Sequence, residues 1–138
     1  MRVWLYARLS NDDDREMNSL LNQREICQAF AEQHGYTIVG QSYDDNASGM
    51  NFNRRGLDKL TAAVDADMID AVIVKDLSRL GRHKTQTALF IDYLRERQVR
   101  VISATEGVDT FRDEDDLIIG VRGLMNDYYA KDIGKKIR

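Results

Sequence analysis

Two spacings of apolar residues alternate along the chain. Val3 to Ala7 is a short apolar run with the character of a strand. From Asn18 to His34 the apolar positions Leu21, Ile26 and Phe30 fall at helical spacing, and Gly35 supplies the stop. Tyr36 to Tyr43 is rich in Tyr, Thr, Ile and Val and predicts a second strand. Asp45-Asn46-Ala47-Ser48-Gly49 is a cluster of turn formers and predicts a loop that continues through Asn53. Arg55 to Asp65 predicts a helix, and Ala71-Val72-Ile73-Val74 a buried strand that ends in the polar pair Lys75-Asp76. After the loop Ser78-Arg79-Leu80-Gly81-Arg82 come a helix over Thr85 to Arg97, a strand over Val99 to Ala104, and one long helix from Asp113 to Arg138.

Strands that alternate with helices predict an α/β fold, a mostly parallel sheet of four to five strands with helices on both faces. Its crossovers are expected to be right-handed. In such sheets ligands bind beyond the carboxyl ends of the strands, where the strand order reverses. Arg8 and Ser10 after the first strand, Asp45 after the second and Asp76 to Arg82 after the third are therefore expected to face one another. Residues 1–112 are expected to form the core domain and 113–138 to begin a separate long helix.

Length and charge narrow the function. A chain of 138 residues is about one domain. The net charge is −3, whereas a self-sufficient DNA-binding domain is usually basic. Basic residues gather at the far end, where Tyr129 to Arg138 holds four cations (Lys131, Lys135, Lys136, Arg138) against one anion, Asp132. Either this is a solvated helix end whose cations suit the dipole, or the chain is a fragment of a longer protein that continues toward further domains. Cys27 is the single cysteine, so no internal disulfide is expected, and no Cys/His spacing suits structural zinc. No run of 18 apolar residues is present, and the opening Met1-Arg2-Val3-Trp4-Leu5 lacks the apolar core of a signal peptide, so a cytoplasmic location without a membrane span is expected.

Three segments carry candidate chemistry. In Tyr6-Ala7-Arg8-Leu9-Ser10 the period of a strand puts Tyr6, Arg8 and Ser10 on one side, a cation beside a hydroxyl at a strand end. A serine in that position is also a common turn former or helix cap. In Asp76-Leu77-Ser78-Arg79-Leu80-Gly81-Arg82 two arginines three apart can converge on phosphate oxygens through paired donors; the alternative is a surface loop with an Asp76–Arg79 ion pair. The loop from Asp45 ends in another cation, Arg54. Asp12-Asp13-Asp14 reads as a solvated acidic turn rather than a metal site. His34 and His83 are the only histidines, and His34 lies at a helix end, so a Ser-His-Asp triad is not expected. A serine activated among arginines suits phosphoryl transfer, where positioning and charge neutralisation supply most of the rate.

Taken together, Tyr6-Ala7-Arg8-Leu9-Ser10, Asp45-Asn46-Ala47-Ser48-Gly49, Arg54-Arg55-Gly56-Leu57 and Leu77-Ser78-Arg79-Leu80-Gly81-Arg82 resemble, in order and spacing, the resolvase/invertase family of serine recombinases. Val74-Lys75-Asp76-Leu77-Ser78-Arg79 and Asn126-Asp127-Tyr128-Tyr129-Ala130-Lys131 look most like the large serine recombinases of mobile elements. The resemblance implies that Ser10 attacks a DNA phosphodiester and forms a 5′-phosphoserine link, with Arg8, Arg79 and Arg82 as catalytic arginines. It implies supporting or phosphate-binding roles for Tyr6, Gln23, Asp45, Arg54 and Asp76. No metal and no cofactor are implied, and the partners are double-stranded DNA and a second copy of the chain, with a tetramer in the synaptic complex. Two departures stand out. Asp65-Ala66-Asp67 occupies a segment where several small resolvases carry a lysine, and Ala130-Lys131 lies where they often carry Glu-Arg. The group that takes the Ser10 proton is left unassigned.

On the long helix Leu117, Val121, Leu124 and Tyr128 form one apolar stripe, and Ile118, Met125, Tyr129 and Ile133 a second beside it. Leu117, Val121, Leu124, Met125, Tyr128 and Tyr129 are the expected oligomer interface, because this face is wider than packing on one sheet needs. The rival reading is a receiver-like phospho-acceptor signalling domain, with Asp12 to Asp14, Asp76 and Ser103 as its site.

Overall fold

The computed structural model describes residues 1–10, 19–46, 55–81 and 84–110; of Ser10 and Asn46 it describes the backbone. Five strands form one sheet: β1 (Arg2–Ser10), β2 (Thr37–Asn46), β3 (Ala71–Val74), β4 (Arg100–Ser103) and β5 (Val108–Asp109), in the order β2-β1-β3-β4-β5. The first four are parallel, and β5 runs antiparallel to β4. The helices are α1 (Leu20–Gln33), α2 (Arg55–Asp65) and α3 (Lys84–Glu96), with a 3-10 turn over Leu77–Arg79. The expected long helix from Asp113 lies outside the described residues.

Side chains alternate across the sheet as strand geometry requires. Val3, Leu5, Ala71, Ile73 and Ile102 pack on one face with Cys27 and Ala31 of α1. Tyr6, Val72, Val74 and Val101 pack on the other with Leu60, Ala63 and Val64 of α2 and Ile91 and Leu94 of α3. The four residues of β3 are buried on both sides, which explains their unbroken apolar run. Burial also pushes the Cys27 thiol up to about 12, so it behaves as a small core residue.

The chain steps from β1 outward to β2, then back across β1 to β3 and on to β4. Right-handed crossovers in opposite directions put α1 on one face and α2 and α3 on the other. The order reverses between β1 and β3, so a ligand crevice is expected at the carboxyl ends of those two strands.

Two boundaries differ from the sequence pattern. β1 continues past Ala7 to Ser10, and β2 continues past Tyr43 through Asp45 and Asn46, where the composition predicts a loop. The register runs from Arg2 opposite Thr37 to Ser10 opposite Asn46, with a shift between Val3 and Trp4. A ladder of backbone hydrogen bonds holds these polar residues extended whatever their side chains prefer. Gly35 ends α1 with φ +72, as its sequence position suggests.

Candidate active site

β1 outruns β3, with which it pairs only from Val3 to Leu5. In place of a strand neighbour, Arg8 meets the buried side chain of Gln23 from α1. The Gln23 Oε1 accepts from the Arg8 N–H at 3.1 Å and its Nε2 donates to the Arg8 carbonyl at 2.9 Å. The carboxamide thus acts as one peptide unit of a missing strand and keeps β1 extended toward Ser10.

The Arg8 guanidinium crosses to the segment after β3. Its Nε donates to the Arg79 carbonyl at 3.1 Å, and its Nη2 to the carbonyls of Ser78 at 2.6 Å and Gly81 at 3.2 Å. Arg79 answers: its Nη1 donates to the Arg8 carbonyl at 2.9 Å. Arg79 Nε and Nη2 both meet Asp76 Oδ2 at 3.3 Å. Asp76 also caps the 3-10 turn, accepting from the Ser78 N–H at 3.2 Å and from the Ser78 hydroxyl. Gly81 closes the segment against α3, where an added Cβ would lie 2.8 Å from the Thr87 nitrogen.

Arg8 and Arg79 are only 8 % and 4 % exposed. Guanidinium groups keep their charge at any ordinary pH, and a buried charge is costly unless hydrogen-bonded and paired. Carbonyl oxygens satisfy much of the hydrogen bonding here, and Asp76 pairs with Arg79.

A second network stands on the β2 side. Tyr6 donates its hydroxyl to Asp44 Oδ2 at 2.6 Å. Asp44 also accepts from the backbone N–H groups of Gly56, at 2.7 Å to Oδ1, and Leu57, at 3.0 Å to Oδ2. A carboxylate on the first N–H groups of α2 is well matched to the helix dipole. Gly56 allows this approach, since an added Cβ would lie 2.3 Å from the Tyr43 carbonyl oxygen. The register turns Asp44 inward and places Asp45, the residue expected from the sequence, at an exposed position. Alternation along an extended strand is the reason: a loop would not have fixed which neighbour faces the core.

Arg8, Arg79, Asp76, Gln23 and the backbone end of β1 at Ser10 are thus gathered at the reversal point, and Tyr6 joins through Asp44. The Ser10 side chain, Arg54, Arg82 and the Asp12 to Asp14 turn lie outside the described residues or atoms. So do Leu117, Val121, Leu124, Met125, Tyr128 and Tyr129. Among the described residues no group of three or more His, Cys, Asp or Glu side chains could hold a metal, and no helix is long and apolar enough to cross a membrane.

Sequence reasoning missed Asp44 and also Glu106. The Glu106 Oε1 accepts from the Leu77 N–H at 3.1 Å and from the Ser103 hydroxyl at 2.6 Å. An acidic residue in a turn carries no signal of such a contact with a segment 29 residues away.

Two buried arginines at the strand-order reversal of a parallel sheet place this chain among α/β domains whose sites lie at the carboxyl ends of the strands. Comparison with known proteins gives the family. The model of the resolvase N-terminal domain matches residues 3–138, and the chain belongs to that family, the serine recombinases. It is 29 % identical over 105 residues to a DNA-invertase of Escherichia phage P1, covering 76 % of this chain and 50 % of the invertase. A resolvase family site-specific recombinase from Streptococcus pneumoniae superposes with a TM-score of 0.76 at 26 % identity, covering 96 % of this chain and 90 % of that one. The N-terminal catalytic domain of TP901-1 integrase superposes with a TM-score of 0.75 at 22 % identity, covering 95 % of this chain and 98 % of that one. The chain spans about half the length of the invertase it matches. Membership sets aside the receiver-like alternative, and Asp76 and Ser103 are engaged in the contacts described above.

Proposed function

We propose that this chain is the catalytic domain, over residues 1–112 with a linking helix over 113–138, of a site-specific DNA recombinase that uses Ser10 as its nucleophile. The observation that carries the reading is the mutual hold of Arg8 and Arg79 at the end of β1. It holds two permanent cations at the end of the strand that leads to Ser10, and guanidinium groups suit the oxygens of a DNA phosphate.

In this reading the Ser10 hydroxyl oxygen attacks phosphorus while the bond from phosphorus to the 3′ oxygen breaks. The serine proton is lost, the departing 3′ oxygen gains one, and a 5′-phosphoserine link remains. The number of phosphate ester bonds is unchanged, so attack by another 3′-hydroxyl rejoins the strands without ATP. Arg8, Arg79 and Arg82 neutralise the charge that develops on the phosphoryl oxygens. Arg54 adds a further cation, Tyr6, Gln23, Asp45 and Asp76 support the site, and Asp44 helps to hold the frame. Activity requires double-stranded DNA and at least two copies of the chain, assembled through the helix over 113–138 as a dimer and then a synaptic tetramer. The acidic balance of the chain suits a protein that takes its sequence readout from other domains.

The test is cleavage of DNA carrying the recombination site by the protein that contains this chain. Breaks with free 3′-hydroxyl and protein-blocked 5′ ends are expected, and none from Ser10→Ala. Breaks with free 5′-phosphates, or undiminished breakage by Ser10→Ala, would count against it.

A further inference from the structure

The segment that carries Arg79 is also held from the end of β4 and the turn that follows it. Thr105, just after β4, donates to the Lys75 carbonyl through its N–H at 3.0 Å and its Oγ1 at 2.6 Å. Ser103, fully buried at the end of β4, sends its hydroxyl toward Glu106 Oε1 and the same Lys75 carbonyl, at 2.6 and 3.3 Å. Glu106 then reaches across to the Leu77 N–H at 3.1 Å.

Leu77 opens the 3-10 turn, and its N–H has no partner within the turn. Asp76 serves the next N–H, that of Ser78. One carboxylate from within the segment and one from the β4–β5 turn therefore fix two successive amides. The carbonyls of Ser78 and Arg79, which receive the Arg8 guanidinium, follow directly along the same backbone.

We propose that Glu106 is a positioning residue for the phosphate-binding arginines, with its carboxylate oxygen setting the start of the turn on which Arg79 sits. This rests on the recombinase reading for its consequence and on contacts among described residues for its cause. The chemistry asked of Glu106 is that of an acceptor, not of a charge: its Oε1 takes one N–H and one O–H. Glutamine keeps an oxygen at that place and alanine does not. An error of about 1 Å in a group that orients a reacting centre can cost on the order of a hundredfold in rate.

Two measurements test this together. In the 138-residue chain, Glu106→Ala should speed hydrogen exchange at the Leu77 amide and shift the Arg79 side-chain Nε–H resonance, while Glu106→Gln should leave both near wild type. In the protein that contains the chain, Glu106→Ala should lower the rate of DNA cleavage about tenfold to a hundredfold with little change in DNA affinity, and Glu106→Gln should restore most of it. Equal loss in both variants, or wild-type exchange and cleavage in Glu106→Ala, overturns the proposal. If Glu106→Ala fails to fold, Glu106→Asp, whose shorter side chain draws the oxygen back, takes its place with the same expectations. Absence of cleavage by the wild-type protein would instead sink the recombinase reading, and the amide measurement would still decide whether Glu106 sets the turn.

Discussion

Arg8 and Arg79 each donate to the other's backbone carbonyl, Nε of Arg8 to the Arg79 oxygen at 3.1 Å and Nη1 of Arg79 to the Arg8 oxygen at 2.9 Å. The two side chains thereby fasten the end of β1 to the 3-10 turn after β3 across 71 residues of sequence. Neither position can move without the other.

Lysine at position 8 keeps the charge and loses the planar fork that reaches three carbonyls. Arg8→Lys is expected to destabilise the fold by about 1.5–3 kcal/mol, the range for hydrogen bonds to a charged group. DNA cleavage is expected to fall by at least about a hundredfold, because the turn carrying Arg79 loses its registration. Urea denaturation and a cleavage assay check the two parts separately; an unchanged midpoint would show that the contacts with Ser78, Arg79 and Gly81 do not hold the turn.

Gln23 offers a sharper separation of shape from chemistry. Gln23→Leu fills similar space and strips both hydrogen bonds from the Arg8 backbone, with an expected loss of about 2–4 kcal/mol for two buried groups. Gln23→Glu retains the acceptor for the Arg8 N–H and loses the donor to its carbonyl, so its loss should be less for the backbone amide than for the carbonyl. Amide exchange at Arg8 should rise in Gln23→Leu and change little in Gln23→Glu.

Gly56→Ala is expected to destabilise the domain by about 1–3 kcal/mol, the usual effect of overpacking. The obstacle is the Tyr43 backbone, which is held in the ladder with Ala7 and has little room to yield. A denaturant midpoint equal to wild type would mean that α2 docks on β2 less closely than described.

Much of this frame was legible in the sequence, and the reasons are specific. The unbroken apolar run of β3 and the helical spacing of α1 are consequences of burial, so the pattern of residues records them. Arg8, Arg79 and Gln23 were singled out and do meet. The end of β2 differs from the pattern because Asp45 and Asn46 favour turns in isolation, and pairing with Leu9 and Ser10 keeps them extended. A strand end that reads as a loop carries no alternation, so the inward position of Asp44 gave no signal. β5 is two residues long and carries no period of its own. Glu106 was invisible because its partner is a backbone N–H, which every residue but proline offers.

Acid provides a test of the opposite end of the sheet. Arg2 grips Asp70 through Nε and Nη2 at 3.2 and 3.0 Å, and the Arg2 N–H adds a third contact at 2.8 Å. The side-chain hydrogen bond from Arg2, then the backbone one, lower the Asp70 carboxyl from 3.8 to about 2. A carboxyl depressed in the folded state stabilises fully above its unfolded value and loses that contribution as pH falls through its folded value. Wild type should therefore exceed Asp70→Asn in stability at pH 6, and the gap should close between about pH 4 and 2. Solvent screening keeps the gap below about 1 kcal/mol. A gap that stays constant to pH 2 would show that Asp70 titrates normally.

The most direct measurement is the identity of the residue joined to DNA. Protein containing this chain, incubated with a nicked recombination site that prevents rejoining, should yield a peptide–nucleotide adduct, and mass spectrometry should locate the 5′ phosphate on Ser10. Attachment at a tyrosine or at any other serine, or cleavage with no covalent adduct, would contradict the assignment of the β1 terminus as the reacting centre.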